Sequence, residues 1–237
     1  MLYKPTWTGL LLIAIFALSQ KTNIAQKIRP RPYEKSKVRN VMIELPNPAK
    51  TGSLNIEQAI SKRRSVRSYR NLPLKLEQIS QLLWAAQGIT SDGGYRSTPS
   101  AGALYPLELY VVATNVDGLE TGIYKFDAKE NALRQVKSGN FRDELMSAGM
   151  GQDAIESAPA TVVFAGVHTR TQQKYGPKAS RYVHMEVGHA SQNIYLQATA
   201  LNLGTVAIGA FSGEAVKRVI GMPPDEKPLY LMPVGAL

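Results

Sequence analysis

The sequence runs to 237 residues with 44% hydrophobic side chains, enough to bury a sizeable core in one domain with appendages. It contains no cysteine, which excludes a disulfide framework, a cysteine-ligated metal and lipid attachment at cysteine. The net charge of +10 is uneven: residues 1–50 hold nine of the 28 Lys and Arg and two of the 18 acids, leaving 19 against 16 elsewhere, so no folded nucleic-acid-binding face is expected.

The first residues read as a targeting segment. Lys4 supplies a short basic start, and GLLLIAIFAL, Gly9 to Leu18, is an uncharged apolar run too short to span a bilayer and of signal-peptide length. Cleavage after Ala25 would make 1–25 a signal peptide, with an uncleaved N-terminal anchor as the alternative. Export to the periplasm or envelope is the expectation; a non-functional leader would leave the chain in the cytoplasm. No stable membrane span is expected in the mature form. Residues 26–52, broken by Pro30, Pro32, Pro46, Pro48 and Gly52, read as a basic linker or arm, and the folded domain is expected over 53–237.

Within that domain, Asn55 is placed to cap a helix over IEQAISKRR. LEQISQLLWAAQG has apolar residues at 76, 79, 82, 83 and 86, a helical spacing closed by Gly88. LELYVVAT reads as a strand, followed by GIYKFD and ALRQVK on either side of an AKEN turn. A helix over about 140–149 leads to ATVVFAGV, a continuous apolar run of buried-strand type. The longest helix is expected from about Arg181 to Leu203, with Val183, Val187, Ala190, Ile194, Ala198 and Leu201 on one stripe and Gly204 as its stop. Strand-like TVAIGAF, a short helix near 213–220 and PLYLMPVG complete the chain. Helices and strands interleave without strict βαβ regularity, which argues for an α+β fold with a mixed central sheet flanked by helices.

Four segments can carry chemistry. RRSVR, Arg63 to Arg67, sets three guanidiniums and a hydroxyl within five residues, a phosphate-binding combination that could equally be a solvated basic patch. PSAGALYP offers small side chains and bare backbone against which a flat ligand can lie, although an ordinary loop would read the same way. In KYGPKASRYVHMEVGHASQN, His184 and His189 are five apart, roughly 140° around a helix, so a zinc site is discarded. Lys174 and Tyr175 are the better candidates there, since an amine and a phenol can each serve in proton transfer; by spacing alone they read as a surface pair. Gly209 interrupts the strand-like TVAIGAF, a sign of close approach by a ligand or another backbone.

In order, RRSVRSYRNLPL, QLLWAAQGIT, PSAGALYPLELYVV, KYG followed by SRYVHMEVGHASQNIYLQATALNLGTVAIGAF, and PLYLMPVG resemble the FMN-dependent nitroreductase superfamily, and within it the SagB/ThcOx-type dehydrogenases that include azoline-oxidising enzymes. The resemblance runs from Ile56 to Gly235. It implies a domain-intertwined homodimer with FMN at each subunit interface. Arg63, Ser65 and Arg67, with Arg64 as a further contact, would hold the phosphate, ribityl chain and pyrimidine edge. Pro99, Ser100, Ala101 and Gly102 would pack against the isoalloxazine. Gln192 and Asn193 would be the polar pair near the flavin, and Ile208, Gly209 and Ala210 would lie by its reactive edge with a main-chain N–H toward N5. Lys174 and Tyr175 resemble the Lys-Tyr pair that assists proton removal in azoline oxidases. After PVGAL no basic residue follows to grip the phosphate, so Arg63, Arg67 or a partner-chain side chain would have to do so.

The expected function is therefore hydride transfer through FMN between a reductant such as NAD(P)H and a small-molecule or peptidic substrate. Two alternatives stay open: a thiazoline or oxazoline dehydrogenase using Lys174 and Tyr175, and a non-catalytic envelope protein that keeps the dimeric fold.

Overall fold

The computed structural model describes residues 41–237. The expected signal peptide, 1–25, and the first part of the arm, 26–40, lie outside the described residues. The last part of the arm is not a linker. Met42–Glu44 forms β1, paired antiparallel with Ala132–Arg134, and Leu45 behind it is buried.

Asn55 caps α1 (Ile56–Lys62) in a reciprocal box with Gln58, its side chain accepting from the Gln58 N–H at 2.8 Å. The helix stops at Lys62, leaving Arg63 to Arg67 beyond its end. Next come β2 (Leu74–Lys75) and α2 (Leu76–Gln87), whose Ile79, Leu82, Leu83 and Ala86 are wholly buried as the spacing predicts. Strands β3 (Leu107–Ala113), β4 (Val116–Asp117), β5 (Gly122–Asp127) and β6 (Ala132–Ser138) follow, then the short helices α3 (Arg142–Ala148) and α4 (Asp153–Glu156). The second half comprises β7 (Ala160–Val167), α5 (His168–Tyr175), α6 (Ala179–Ala200), β8 (Leu203–Thr205), α7 (Gly213–Ile220) and β9 (Glu226–Ala236).

Seven strands make one sheet in the order β1-β6-β5-β3-β7-β9-β8, with antiparallel ladders. The parallel component that makes the pairing mixed is small: the β2–β4 ladder and a Ser65–Thr205 bridge. Both faces of the central strands are covered, which explains the unbroken apolar run of β7. Val162 and Phe164 face the cluster holding Leu82, Leu83, Val183 and Ile194, under α2 and α6. Val163 and Ala165 face the cluster holding Leu145, Ile155, Val216 and Ile220, under α3, α4 and α7. Each fully buried Leu, Ile or Phe here contributes about 1.5–3 kcal/mol relative to exposure.

Two further expectations fail. The long helix ends at Ala200, because Asn202 takes the left-handed turn at φ 56 that was expected of glycine. Gly204 instead enters β8, where a Cβ would lie 2.8 Å from the Val66 Cβ. TVAIGAF is not a continuous strand either: β8 ends at Thr205 and only Ile208 rejoins the sheet, through an isolated bridge to Leu231. Among the described residues no helix is long and apolar enough to cross a membrane.

Candidate functional site

The RRSVR segment leaves α1 in an extended path and is tethered to the TVAIGAF segment. Val66 N–H donates to the Thr205 carbonyl at 2.9 Å. Tyr195, on α6, joins the two: its hydroxyl accepts from the Ala207 N–H at 2.7 Å and shares a hydrogen bond with Ser65 Oγ at 3.1 Å. The Arg63 guanidinium lies 5.2 Å from the centroid of the same ring, in cation–π range. Tyr69 secures the far end of the segment, its hydroxyl donating to Val66 O and Pro233 O at 2.8 and 3.0 Å. Arg67 is exposed. Arg64 turns back on its own helix, with Nη1 donating to Ser61 O and Arg63 O at 2.9 and 2.7 Å. Ile208 is buried, and its N–H and C=O are both taken by Leu231, at 2.8 and 3.0 Å. The amides a ligand can reach here are those of exposed Gly209 and Ala210.

The second half of the site is built on PSAGALYP, which folds into a single 3₁₀ turn, Ala101–Ala103. Three of its residues are left-handed: Gly102 at φ 63, Ala103 at φ 53 and Tyr105 at φ 46. Strain of this kind persists only where surrounding contacts over-determine it. Here Ser100 Oγ accepts from the Tyr105 N–H at 2.9 Å, and the Arg170 Nη1 donates to Tyr105 O at 3.0 Å. The Arg96 guanidinium lies 4.7 Å from the Tyr105 ring centroid, and Arg96 N–H donates to the Tyr105 hydroxyl at 3.3 Å. Arg170 is held in turn by Glu108 on β3.

Lys174 and Tyr175, at the end of α5, lie directly on this turn. A Cβ on Gly102 would sit 3.0 Å from both Lys174 Nζ and Tyr175 Oη. Glycine is favoured there by its φ, and a side chain would also crowd the Lys174 and Tyr175 ends. Tyr175 packs edge-on against Tyr182 of α6, centroids 4.9 Å apart. One turn further along α6 is Glu186, 3% exposed, whose Oε1 has no hydrogen-bond partner among the described residues. Burial pushes its carboxyl up to about 7, against the Ser100 hydroxyl and the Arg96 charge, which both favour ionisation.

The helix α6 thus carries both halves. Glu186 and Tyr195 are nine residues apart, so they point to opposite sides of the helix and lie about 13 Å apart along it. Gln192, between them, is exposed. Asn193 is turned inward: its Nδ2 donates to Ala85 O at 3.0 Å and Thr98 Oγ1 at 3.2 Å, which anchors the approach to PSAGALYP.

Four residues that shape the candidate site, Tyr195, Glu186, Arg96 and Arg170, are given no role by the sequence patterns, and Tyr105 is visible only as part of PSAGALYP. The only available signal was their chemistry near a suspected motif, since each acts through a contact distant in sequence.

Residues 60–236 match the nitroreductase family. A candidate nitroreductase of Methanocaldococcus jannaschii is 43% identical over 182 residues, covering 77% of this chain and 91% of that one. Among solved structures, a candidate nitroreductase of Ralstonia eutropha superposes with a TM-score of 0.74 at 27% identity, over 88% of this chain and 94% of its own. The trifolitoxin-processing protein TfxB of Rhizobium leguminosarum is more distant, 26% identical over 136 residues, 54% of this chain and 36% of that protein.

Proposed function

This chain belongs to the nitroreductase family, and we propose that it is an FMN-dependent oxidoreductase acting between a reductant such as NAD(P)H and a small-molecule or peptidic substrate. When bound, FMN supplies the redox chemistry, taking or giving a hydride at N5. The residues present suit that cofactor. Arg63, Ser65 and Arg67 offer cationic and hydroxyl donors for a phosphate and a polar ring edge. The Gly102 turn offers bare backbone to a planar ring. The exposed amides of Gly209 and Ala210 can donate to negative charge developing on it.

The observation that carries the reading is the packing of the Gly102 turn on Lys174 and Tyr175, which brings an amine and a phenol onto a turn of small residues. The half-turn offset between the two sides of α6 supports a dimeric site: in a two-fold pair packed along α6, the Arg63–Arg67 half of one chain would meet the Ser100–Gly102 half of the other. A second reading, azoline dehydrogenation, is favoured by the convergence of Lys174 Nζ and Tyr175 Oη on one point, where they could take up a substrate proton. The likeness to a trifolitoxin-processing protein agrees with it.

Arg67→Ala tests the cofactor assignment. Arg67 is exposed, so the variant should keep the fold and the gel-filtration volume while binding FMN about tenfold or more weakly, the loss of a charged hydrogen bond. Full retention of FMN would contradict the phosphate assignment.

A further inference from the structure

A second cavity, of about 440 Å³, lies among the end of α2, the start of β3, the β5–β6 hairpin and α5. Its lining includes none of the residues assigned above to FMN itself, but Arg96, Glu108 and Arg170, which brace the Ser100–Tyr105 turn, form part of its wall. Its wall carries five cations, Arg96, Lys125, Lys129, Arg134 and Arg170, against two carboxylates, Glu108 and Asp127. Most of these charges are already matched. Asp127 accepts from Nε and Nη2 of Arg134 at 3.1 and 3.0 Å. Glu108 is shared by Arg170 and Lys125, and Lys125 also reaches the buried Glu226 at 2.6 Å. Burial works against the Lys125 charge, but Glu226 and Glu108 outweigh it and raise its pKa.

Two cations remain, the exposed Lys129 and Arg96, and the second differs in being partly withdrawn from solvent: Arg96 sits deeper in the wall. It is half-buried and forms no ion pair among the described residues; the hydrogen bond its guanidinium makes goes from Nη1 to the neutral Gln87 Oε1, at 2.9 Å. Burial lowers its pKa, and Glu108 and Glu186 only partly offset that. Gln87 is 1% exposed, and its Nε2 donor has no acceptor among the described residues. The wall therefore holds a partly desolvated, under-compensated guanidinium beside an amide with donors to spare, in an opening of ligand size.

We propose that this cavity binds a small oxyanion, a carboxylate or phosphate group held by the Arg96 guanidinium beside Gln87, with Lys129 at the exposed rim. A cationic ligand would add to an existing positive surplus, and an apolar one would leave these donors unmatched. The planar fork of arginine suits either oxyanion. Arg96 and Arg170 also hold Tyr105, whose N–H bonds Ser100, so occupancy of the cavity would be felt at the Gly102 turn. The inference stands independently of the flavin reading.

The test is calorimetric titration of the purified protein at low salt with inorganic phosphate and, separately, succinate. Wild type is compared with Arg96→Gln, Lys129→Ala and Arg67→Ala. The expected result is saturable binding of at least one probe with a component that persists in Arg67→Ala, that component being weakened at least about tenfold by Arg96→Gln and about two- to threefold by Lys129→Ala. A response to phosphate alone identifies a phosphate site, and a response to succinate alone a carboxylate site. Absence of saturable binding of either probe overturns the proposal. So does binding abolished by Arg67→Ala, which would place the anion at the phosphate half of the FMN site. Should Arg96→Gln fail to fold, Lys129→Ala decides the matter, and an unchanged Kd in that rim variant overturns the proposal.

Discussion

Replacing Glu186 with glutamine should stabilise the protein at alkaline pH. Burial raises this carboxyl from 4.5 to about 7, so between those values the folded state keeps a proton that the unfolded chain has released. The contribution of Glu186 to stability therefore falls as pH rises through that window, and the whole cost of burying its charge is present above about 7. At 1.36 kcal/mol per pKa unit the ceiling is about 3 kcal/mol. Glutamine keeps the shape and cannot ionise, but it also removes a partial counter-charge from Arg96, so a gain of about 1–2 kcal/mol at pH 8 is expected. For a domain of this size that is a Tm increase of about 2–8 °C. Thermal melts followed by circular dichroism, for both proteins from pH 4 to 8.5, give the difference curve directly; every other titrating group is common to the two and largely cancels. The difference should be constant below about pH 4.5 and grow up to about 7. Parallel curves, or a variant that melts lower at pH 8, would refute the account of Glu186 as a buried carboxyl without full compensation.

Gly102→Ala would force a Cβ into contact with Lys174 Nζ and Tyr175 Oη at a left-handed φ of 63. It should cost about 1–2 kcal/mol in a chemical denaturation curve and weaken flavin binding, and a variant as stable and as flavin-rich as wild type would mean that the turn relaxes freely. Tyr175→Phe keeps the edge-on packing against Tyr182 and removes only the hydroxyl. If the pair moves a proton, substrate oxidation slows by about 10²-fold or more with flavin content unchanged, whereas an unaltered rate would leave Tyr175 a packing role.

What the sequence disclosed was whatever local patterning controls. The Asn55 cap, the stripe of Val183, Val187, Ala190, Ile194 and Ala198, and the doubly apolar β7 are each decided within a few residues and found where expected, although Leu201, expected on the same stripe, falls past the helix end and is half-buried. The misreadings arise where a distant partner decides. Met42–Glu44 looks like a linker because Pro46 and Pro48 follow it, and it is a strand because β6 has an edge to offer. Gly204 looks like a helix stop, but its missing Cβ serves the close approach of Val66 in the tether between two remote motifs.

The same division runs through the candidate site. RRSVR and PSAGALYP were visible as compositions suited to phosphate and to a flat ring. Lys174 and Tyr175 had no local mark, and only the Gly102 turn packed against them separates them from a surface pair. Glu186 was hidden for a related reason: in a helix pattern it reads as solvated, and its burial beside the Ser100 hydroxyl and the Arg96 charge depends on contacts distant in sequence. Asn193 reads as a ligand-facing polar residue, and its Nδ2 is engaged by Ala85 O and Thr98 Oγ1.

The most direct test of the central claim is an absorption spectrum of the purified protein, reconstituted with FMN and desalted, before and after anaerobic addition of NADH or NADPH. A flavin band near ~450 nm that survives desalting and bleaches with the nucleotide is the predicted result. A colourless protein that does not retain added FMN would contradict it.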